Sequence, residues 1–212
     1  MTEHKNNLTK TVVVEDHHLL RESFCAAFNE DKGFLVVGDT ASADVADSLC
    51  AQHAPDLVVM DVCTEGGASG LDALIRLRAE YPDMKIILMS GFDELSYSPR
   101  ARENGADAFI FKSKNSEFFI ETAHRVMKGE TYFPEDRQIP LPNGVTPFTE
   151  RETEILRQLC RCKTRAVIAE ELFISERTVD KHIENMRAKS QFSSITELII
   201  YVVSNGWINP QY

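Results

Sequence analysis

Hydrophobic and polar positions follow two rhythms along the first 130 residues. Short, largely β-branched runs at residues 11–15, 34–38, 56–61, 85–90 and 108–112 predict five strands. Between them, stretches with apolar residues three or four apart at 19–29, 42–53, 71–81, 95–104 and 116–128 predict five helices. Runs such as DLVVMD and KIILMS would be buried on both faces of an extended chain, which calls for a parallel sheet covered by helices on each side. The expected fold is an α/β, doubly wound, five-stranded parallel sheet.

The alternation stops at residue 129. The segment GETYFPEDRQIPLPNGVTP, with four prolines, carries no sustained period and reads as a linker over 129–147. Thr149 with Glu152 then forms a capping box ahead of the stripe Ile155, Leu156, Leu159. Further helices fit 166–172, 176–189 with Ser175 as N-cap, and a last one capped by Ser194 with Glu197 that carries Leu198, Ile199 and Val202. Small Ala169 inside one helix and Ser175 opening the next have the shape of a helix-turn-helix, whose second helix enters the DNA major groove. Val179, His182, Ile183 and Met186 recur at helical spacing and form its inner seam, with His182 structural. Three segments result: 9–128, a linker over 129–147, and an all-α four-helix unit over 148–212.

Charge separates these segments further. Of the net -10, residues 1–147 hold 24 Asp and Glu against 14 Lys and Arg, whereas 148–212 hold nine of each. The longest apolar run in the second half, residues 198–203, is far too short to span a membrane, and MTEHKNNLTK lacks the apolar segment of a signal peptide. The expectation is a cytoplasmic protein without membrane insertion. Five cysteines, Cys25, Cys50, Cys63, Cys160 and Cys162, lack disulfide-scaffold or metal-ligand spacing and read as reduced thiols.

Residues at the carboxyl ends of parallel strands gather on one edge, where doubly wound folds hold ligands. Here that edge collects Glu15 and Asp16 after the first strand, Asp61 at the third, Ser90 at the fourth and Lys112 at the fifth. Taken singly, such residues are usually caps or solvated charges. Together, three carboxylates repel and need a cation, and their hard oxygens suit Mg²⁺, which accepts phosphate oxygens. Lys112 and Ser90 would stabilise an incoming phosphoryl group, and Asp61 could become an aspartyl phosphate. There is no Asp-x-Asp motif or phosphate-binding glycine loop to support a phosphatase or nucleotide enzyme.

This pattern, over residues 11–128, resembles the receiver domain of two-component response regulators, a flavodoxin-like fold. The resemblance implies phosphorylation of Asp61 by a sensor histidine kinase, an Mg²⁺ site at Glu15, Asp16, Asp61 and the backbone carbonyl of Cys63, catalytic partners Ser90 and Lys112, and a switch aromatic at Phe109. Family members commonly carry Met-Pro and then Gly after the phosphoacceptor. Here Thr64-Glu65 stand instead and Gly70 falls one residue late, so a one-residue insertion is expected. Without the proline, Gly66-Gly67 should leave the loop mobile. Glu65 adds charge near the site, and Ser113 follows Lys112 where many receivers have proline.

The stretches FTERETEILRQL and IAEELFISERTVDKHIENMRAK resemble the LuxR-type helix-turn-helix of NarL/FixJ response regulators, over roughly residues 149–207. The resemblance implies double-stranded promoter DNA as partner and a homodimer with two recognition helices. Candidate DNA-facing residues are Lys163, Arg165, Ser175, Arg177, Thr178, Asp180, Lys181, Glu184, Arg187 and Lys189. Asp180 and Glu184 stand where the family often has Lys; they repel phosphates but can accept from cytosine N4. Cys162 stands where the family commonly has glycine. The function expected is a DNA-binding transcriptional regulator rather than an enzyme. Alternatives are a phosphorylation-independent regulator and an adaptor acting by protein contacts with weak DNA binding.

Overall fold

The computed structural model describes residues 8–91, 97–135, 139, 141 and 147–210. The described residues up to Glu135 form one compact unit and those from Ile139 onward a second.

In the first unit, strands β1 (Thr9–Val14), β2 (Phe34–Thr40), β3 (Leu57–Asp61), β4 (Lys85–Ser90) and β5 (Ala108–Phe111) form one sheet in the order β2-β1-β3-β4-β5, every pair parallel. That order reverses direction at β1, so the carboxyl ends of β1 and β3 flank the crevice where such sheets bind ligands. Successive side chains alternate between faces. Val13, Leu57, Val59, Ile87, Met89 and Ile110 pack with Phe24 and Phe28 of α1 (His18–Glu30) and with Phe119, Ala123 and Val126 of α5 (Ser116–Met127). The rings of Phe24 and Phe119 meet at 4.8 Å between centroids. Val12, Val58, Met60, Ile86 and Leu88 fill the opposite face and are fully buried. Each such side chain contributes about 1.5–3 kcal/mol relative to exposure, so both faces stabilise the sheet and hold its register.

That opposite face is covered by α2 (Ala46–His53), α3 (Gly70–Glu80) and α4 (Tyr97–Glu103). The single helix expected over 42–53 is divided. Ser42 caps a one-turn 3-10 helix, Ala43–Val45, which runs into α2, and α2 ends at Ala54 in the left-handed region. The first residues expected in the fourth helix, 95 and 96, lie outside the described residues, as does much of 129–147. Of that segment, Tyr132 is bonded to the β5 edge: its carbonyl accepts from the Phe109 amide at 2.8 Å and its own amide donates to the Asp107 carbonyl at 3.2 Å.

The second unit contains α6 (Glu150–Cys160), α7 (Arg165–Glu171), α8 (Glu176–Ser190) and α9 (Ile195–Ser204) around Ile155, Leu156, Ile168, Val179, Met186 and Leu198. Its caps follow the sequence. Thr149 and Glu152 form the full capping box, and Thr164, Ser175 and Ser194 each accept from a first-turn amide. Glu152 serves twice, because it is 2 % exposed and also receives Lys189 of α8 at 2.6 Å. The short turn from α7 to α8 sets them as a helix-turn-helix, closed by the Ile174 amide donating to the Ala169 carbonyl at 2.9 Å.

Candidate functional site

The carboxyl edge of the sheet brings Glu15, Asp16, Asp61 and Lys112 to one place. Glu15 follows β1, buried, with its amide donating to the Thr40 carbonyl at 3.0 Å and its carbonyl accepting from Arg21 at 2.7 Å. Asp16 is exposed beside it. Asp61 closes β3 at 4 % exposure, and one of its oxygens accepts from the Cys63 amide at 3.3 Å. Carboxylate oxygens of Glu15, Asp16 and Asp61 lie within 4.8 Å of one another. This is an all-oxygen, three-carboxylate donor set of the type a hard divalent cation takes.

Lys112, just past β5, sends its ammonium to both buried acids, 2.6 Å from Glu15 and 2.5 Å from Asp61. Burial pushes the Asp61 carboxyl up to about 7; Lys112 opposes the shift, and Glu15 adds to it. Burial works against the Lys112 charge as well, but its two acidic partners outweigh it and raise the ammonium's pKa. Ser90 ends β4 at 1 % exposure, paired in register with Phe111. Phe109 is fully buried on β5, in edge contact with Phe111 at 5.3 Å.

The loop after Asp61 differs from the mobile segment expected. Thr64, 4 % exposed, donates its hydroxyl to the Ala68 carbonyl at 2.8 Å and accepts the Ala43 amide at 2.9 Å. The Thr64 amide donates to Ala68 at 3.1 Å, the Glu65 amide to Ala41 at 3.1 Å, and Cys63 pairs with Ser69 as an antiparallel bridge. The segment is therefore a short hairpin fastened to the chain that follows β2. Gly66 and Gly67 serve its tip, where φ of 74° and 79° suits glycine rather than an L side chain. Gly70 has a different reason: a Cβ there would collide with the Asp61 carbonyl. Side-chain bonds replace the stiffness that a proline would have supplied.

In the second unit, α8 turns Val179, Ile183 and Met186 inward and leaves Arg177, Asp180, Lys181, Glu184 and Arg187 exposed. Ser175 caps this helix and its hydroxyl meets that of Thr178 at 2.8 Å. Several candidate cations already have acidic or carbonyl partners. Arg165 pairs with Asp180 at 2.7 Å, Lys163 with Glu171 at 2.6 Å, and Arg187 donates to the Ser193 carbonyl at 2.8 Å. Lys189 turns inward to Glu152.

Two family models match the chain: the response regulator receiver domain over residues 11–124, and the bacterial regulatory proteins of the luxR family over 146–202. The oxygen regulatory protein NreC of Staphylococcus carnosus is 30% identical over 209 residues, covering 92% of this chain and 96% of that protein. The chain is a two-component response regulator of the LuxR type. The transcriptional regulatory protein DegU of Brevibacillus brevis is 27% identical to this regulator, covering 95% and 96% of the two chains. A DNA-binding LuxR-family response regulator from Staphylococcus aureus matches 57% of the regulator and 99% of its own chain, at 27% identity and a TM-score of 0.54. A structure of two RcsB dimers bound to DNA shares the fold, at 14% identity, 93% and 99% coverage and a TM-score of 0.65.

The regulator thus joins a receiver to a DNA-binding domain and acts in transcription rather than as an enzyme. Among its described residues no helix is long and apolar enough to cross a membrane. The sequence marks Thr64 only as a departure in the loop after Asp61; its bonds, which bridge two loops, leave no periodic trace. Sequence reasoning passed over Phe173, which is 95 % exposed and left-handed in the turn before α8, and over Tyr97, fully buried with its hydroxyl 3.4 Å from the Cys63 thiol. Cys162 stands at a φ of 57°, in the left-handed region that favours glycine after a helix.

Proposed function

We propose that Asp61 is the phosphoacceptor of this regulator, that Glu15, Asp16, Asp61 and the Cys63 carbonyl hold Mg²⁺, and that the phosphorylated receiver, 9–128, drives formation of a homodimer which binds promoter DNA through 148–212. The observation that carries this reading is the Lys112 ammonium held between buried Asp61 and Glu15 at the edge of the sheet. Such a cation stabilises charge on an incoming phosphoryl group. A carboxylate oxygen of Asp61 attacks the phosphorus of the kinase's phosphohistidine; the new P–O bond forms as the P–N bond breaks and the imidazole leaves. Bound Mg²⁺ would neutralise charge on the phosphoryl oxygens. Ser90 would then bond the new phosphoryl group and couple it to the β4 and β5 side of the domain.

On the DNA side, Ser175, Arg177, Thr178, Asp180, Lys181 and Glu184 open the recognition helix and its exposed face, with Lys163, Arg165 and Arg187 nearby as phosphate contacts. Lys189 is the weakest member of this set, since its charge already answers Glu152. Two half-sites read by two copies raise affinity through effective concentration.

The test is incubation with a small-molecule phosphodonor and Mg²⁺, followed by intact mass, promoter binding and oligomeric state. Wild type gains one phosphoryl group and associates, whereas Asp61→Asn gains none. Equal phosphoryl uptake by Asp61→Asn would remove Asp61 from the role. A second reading, control without phosphorylation, is favoured by the loop after Asp61, which Thr64 and Glu65 already fasten to the chain after β2. It predicts promoter binding by the unmodified protein with no gain from the phosphodonor.

A further inference from the structure

We propose that Thr64 is a positioning residue for the cation site, a side-chain latch that fixes the peptide carrying the Cys63 carbonyl; this rests on reading the acidic cluster as an Mg²⁺ site. Cys63 lies between Asp61 and Thr64, so its carbonyl is aimed by whatever holds the chain on either side. On one side Asp61 is fixed in β3, with the Val62 amide donating to the Met89 carbonyl at 2.9 Å and the Gly70 amide to the Val62 carbonyl at 2.8 Å. On the other side the backbone bonds of the Thr64 and Glu65 amides to Ala68 and Ala41 are reinforced by the Thr64 side chain. Its hydroxyl has one proton to donate and lone pairs to accept. The proton goes to Ala68 across the hairpin, and a lone pair takes the buried Ala43 amide. The hairpin is thereby tied both to itself and to the turn after β2.

The hydroxyl of a buried threonine that bridges two backbone segments over 21 residues of sequence separation ties them more firmly than a solvated hydroxyl would. No proline stiffens this turn: Glu65 follows Thr64, and two left-handed glycines lie beyond it. Without the Thr64 hydroxyl the hairpin keeps only its backbone bonds, and the peptide carrying the Cys63 carbonyl is held less firmly beside the glycine tip. Residues that orient a ligand commonly change metal affinity by 10–100-fold when removed.

The experiment uses the full chain. Thr64→Val keeps the shape and removes both bonds, Thr64→Ser keeps the hydroxyl, and Ala43→Pro removes the amide donor while adding a ring at a buried position, the first of the 3-10 helix, where Ser42 is already extended. Mg²⁺ affinity is measured by calorimetry, and amide exchange is followed in the peptide spanning residues 41–43. Thr64→Val should exchange faster there and bind Mg²⁺ about tenfold more weakly, with Thr64→Ser restoring the affinity and Ala43→Pro weakening it in the same direction. Faster exchange with wild-type Mg²⁺ affinity in Thr64→Val overturns the role. If Thr64→Val does not fold, wild-type affinity in Ala43→Pro overturns it equally. A wild-type chain that binds no Mg²⁺ overturns the reading of the cluster itself, and Thr64's role with it.

Discussion

At the scale of single residues, the site depends on close approach as much as on charge. Gly70 begins α3 directly against the Asp61 carbonyl, and its amide donates to Val62, so the loop can return to the sheet only where there is no side chain. Both colliding partners are backbone in a packed region, and neither can rotate away. Gly70→Ala should therefore cost about 3 kcal/mol, measured as a loss of denaturant midpoint with the m-value unchanged. The same substitution at Gly66 meets no atom, and its smaller cost comes from left-handed φ alone.

At the scale of elements, charge pairing on α7 and α8 sets how strongly the recognition helix is drawn to DNA. Arg165 and Asp180 face each other at 2.7 Å with about half of each side chain exposed, so the pair adds little to stability. Its consequence is electrostatic: Asp180 competes with phosphate for the Arg165 guanidinium. Asp180→Asn should release one phosphate contact and steepen the salt dependence of promoter binding by about 0.9 in log–log slope, read by fluorescence anisotropy across a salt series. An unchanged slope would mean that Arg165 meets no phosphate.

At the scale of the whole molecule, two units with separate cores predict two thermal transitions, and one of them should carry a distinct acid sensitivity. Glu152 joins α6 to α8; burial alone would raise its carboxyl, but Lys189 and the Thr149 bonds together hold it below the usual value of 4.5. A depressed carboxyl contributes stability above its unfolded pKa and loses it as pH falls through the folded value. The transition of the second unit should fall below about pH 4.5, the reference value of the unfolded carboxyl, and Glu152→Gln should lower it at neutral pH by about 2 kcal/mol. Differential scanning calorimetry at pH 7 and pH 3.5 resolves both effects, and a Glu152→Gln protein with an unchanged second transition would count against the ion pair.

The sequence by itself determined the elements and their type, because strand and helix periods, capping boxes and β-branched runs are local signals. It also determined which residues reach the carboxyl edge of the sheet, since parallel strands all end on one side: Glu15, Asp16, Asp61 and Lys112 were legible in this way. What only the tertiary structure decided was set by partners distant in sequence. The loop after Asp61 reads as mobile from its glycines, yet Ala41 and Ala43 hold it through Thr64 and Glu65. Lys189 reads as a cation on a DNA-facing helix, yet buried Glu152, 37 residues away, draws it inward. Local pattern fixes where an element lies, but the use of a polar side chain depends on the partner that folding brings to it, and that partner leaves no periodic mark in the chain.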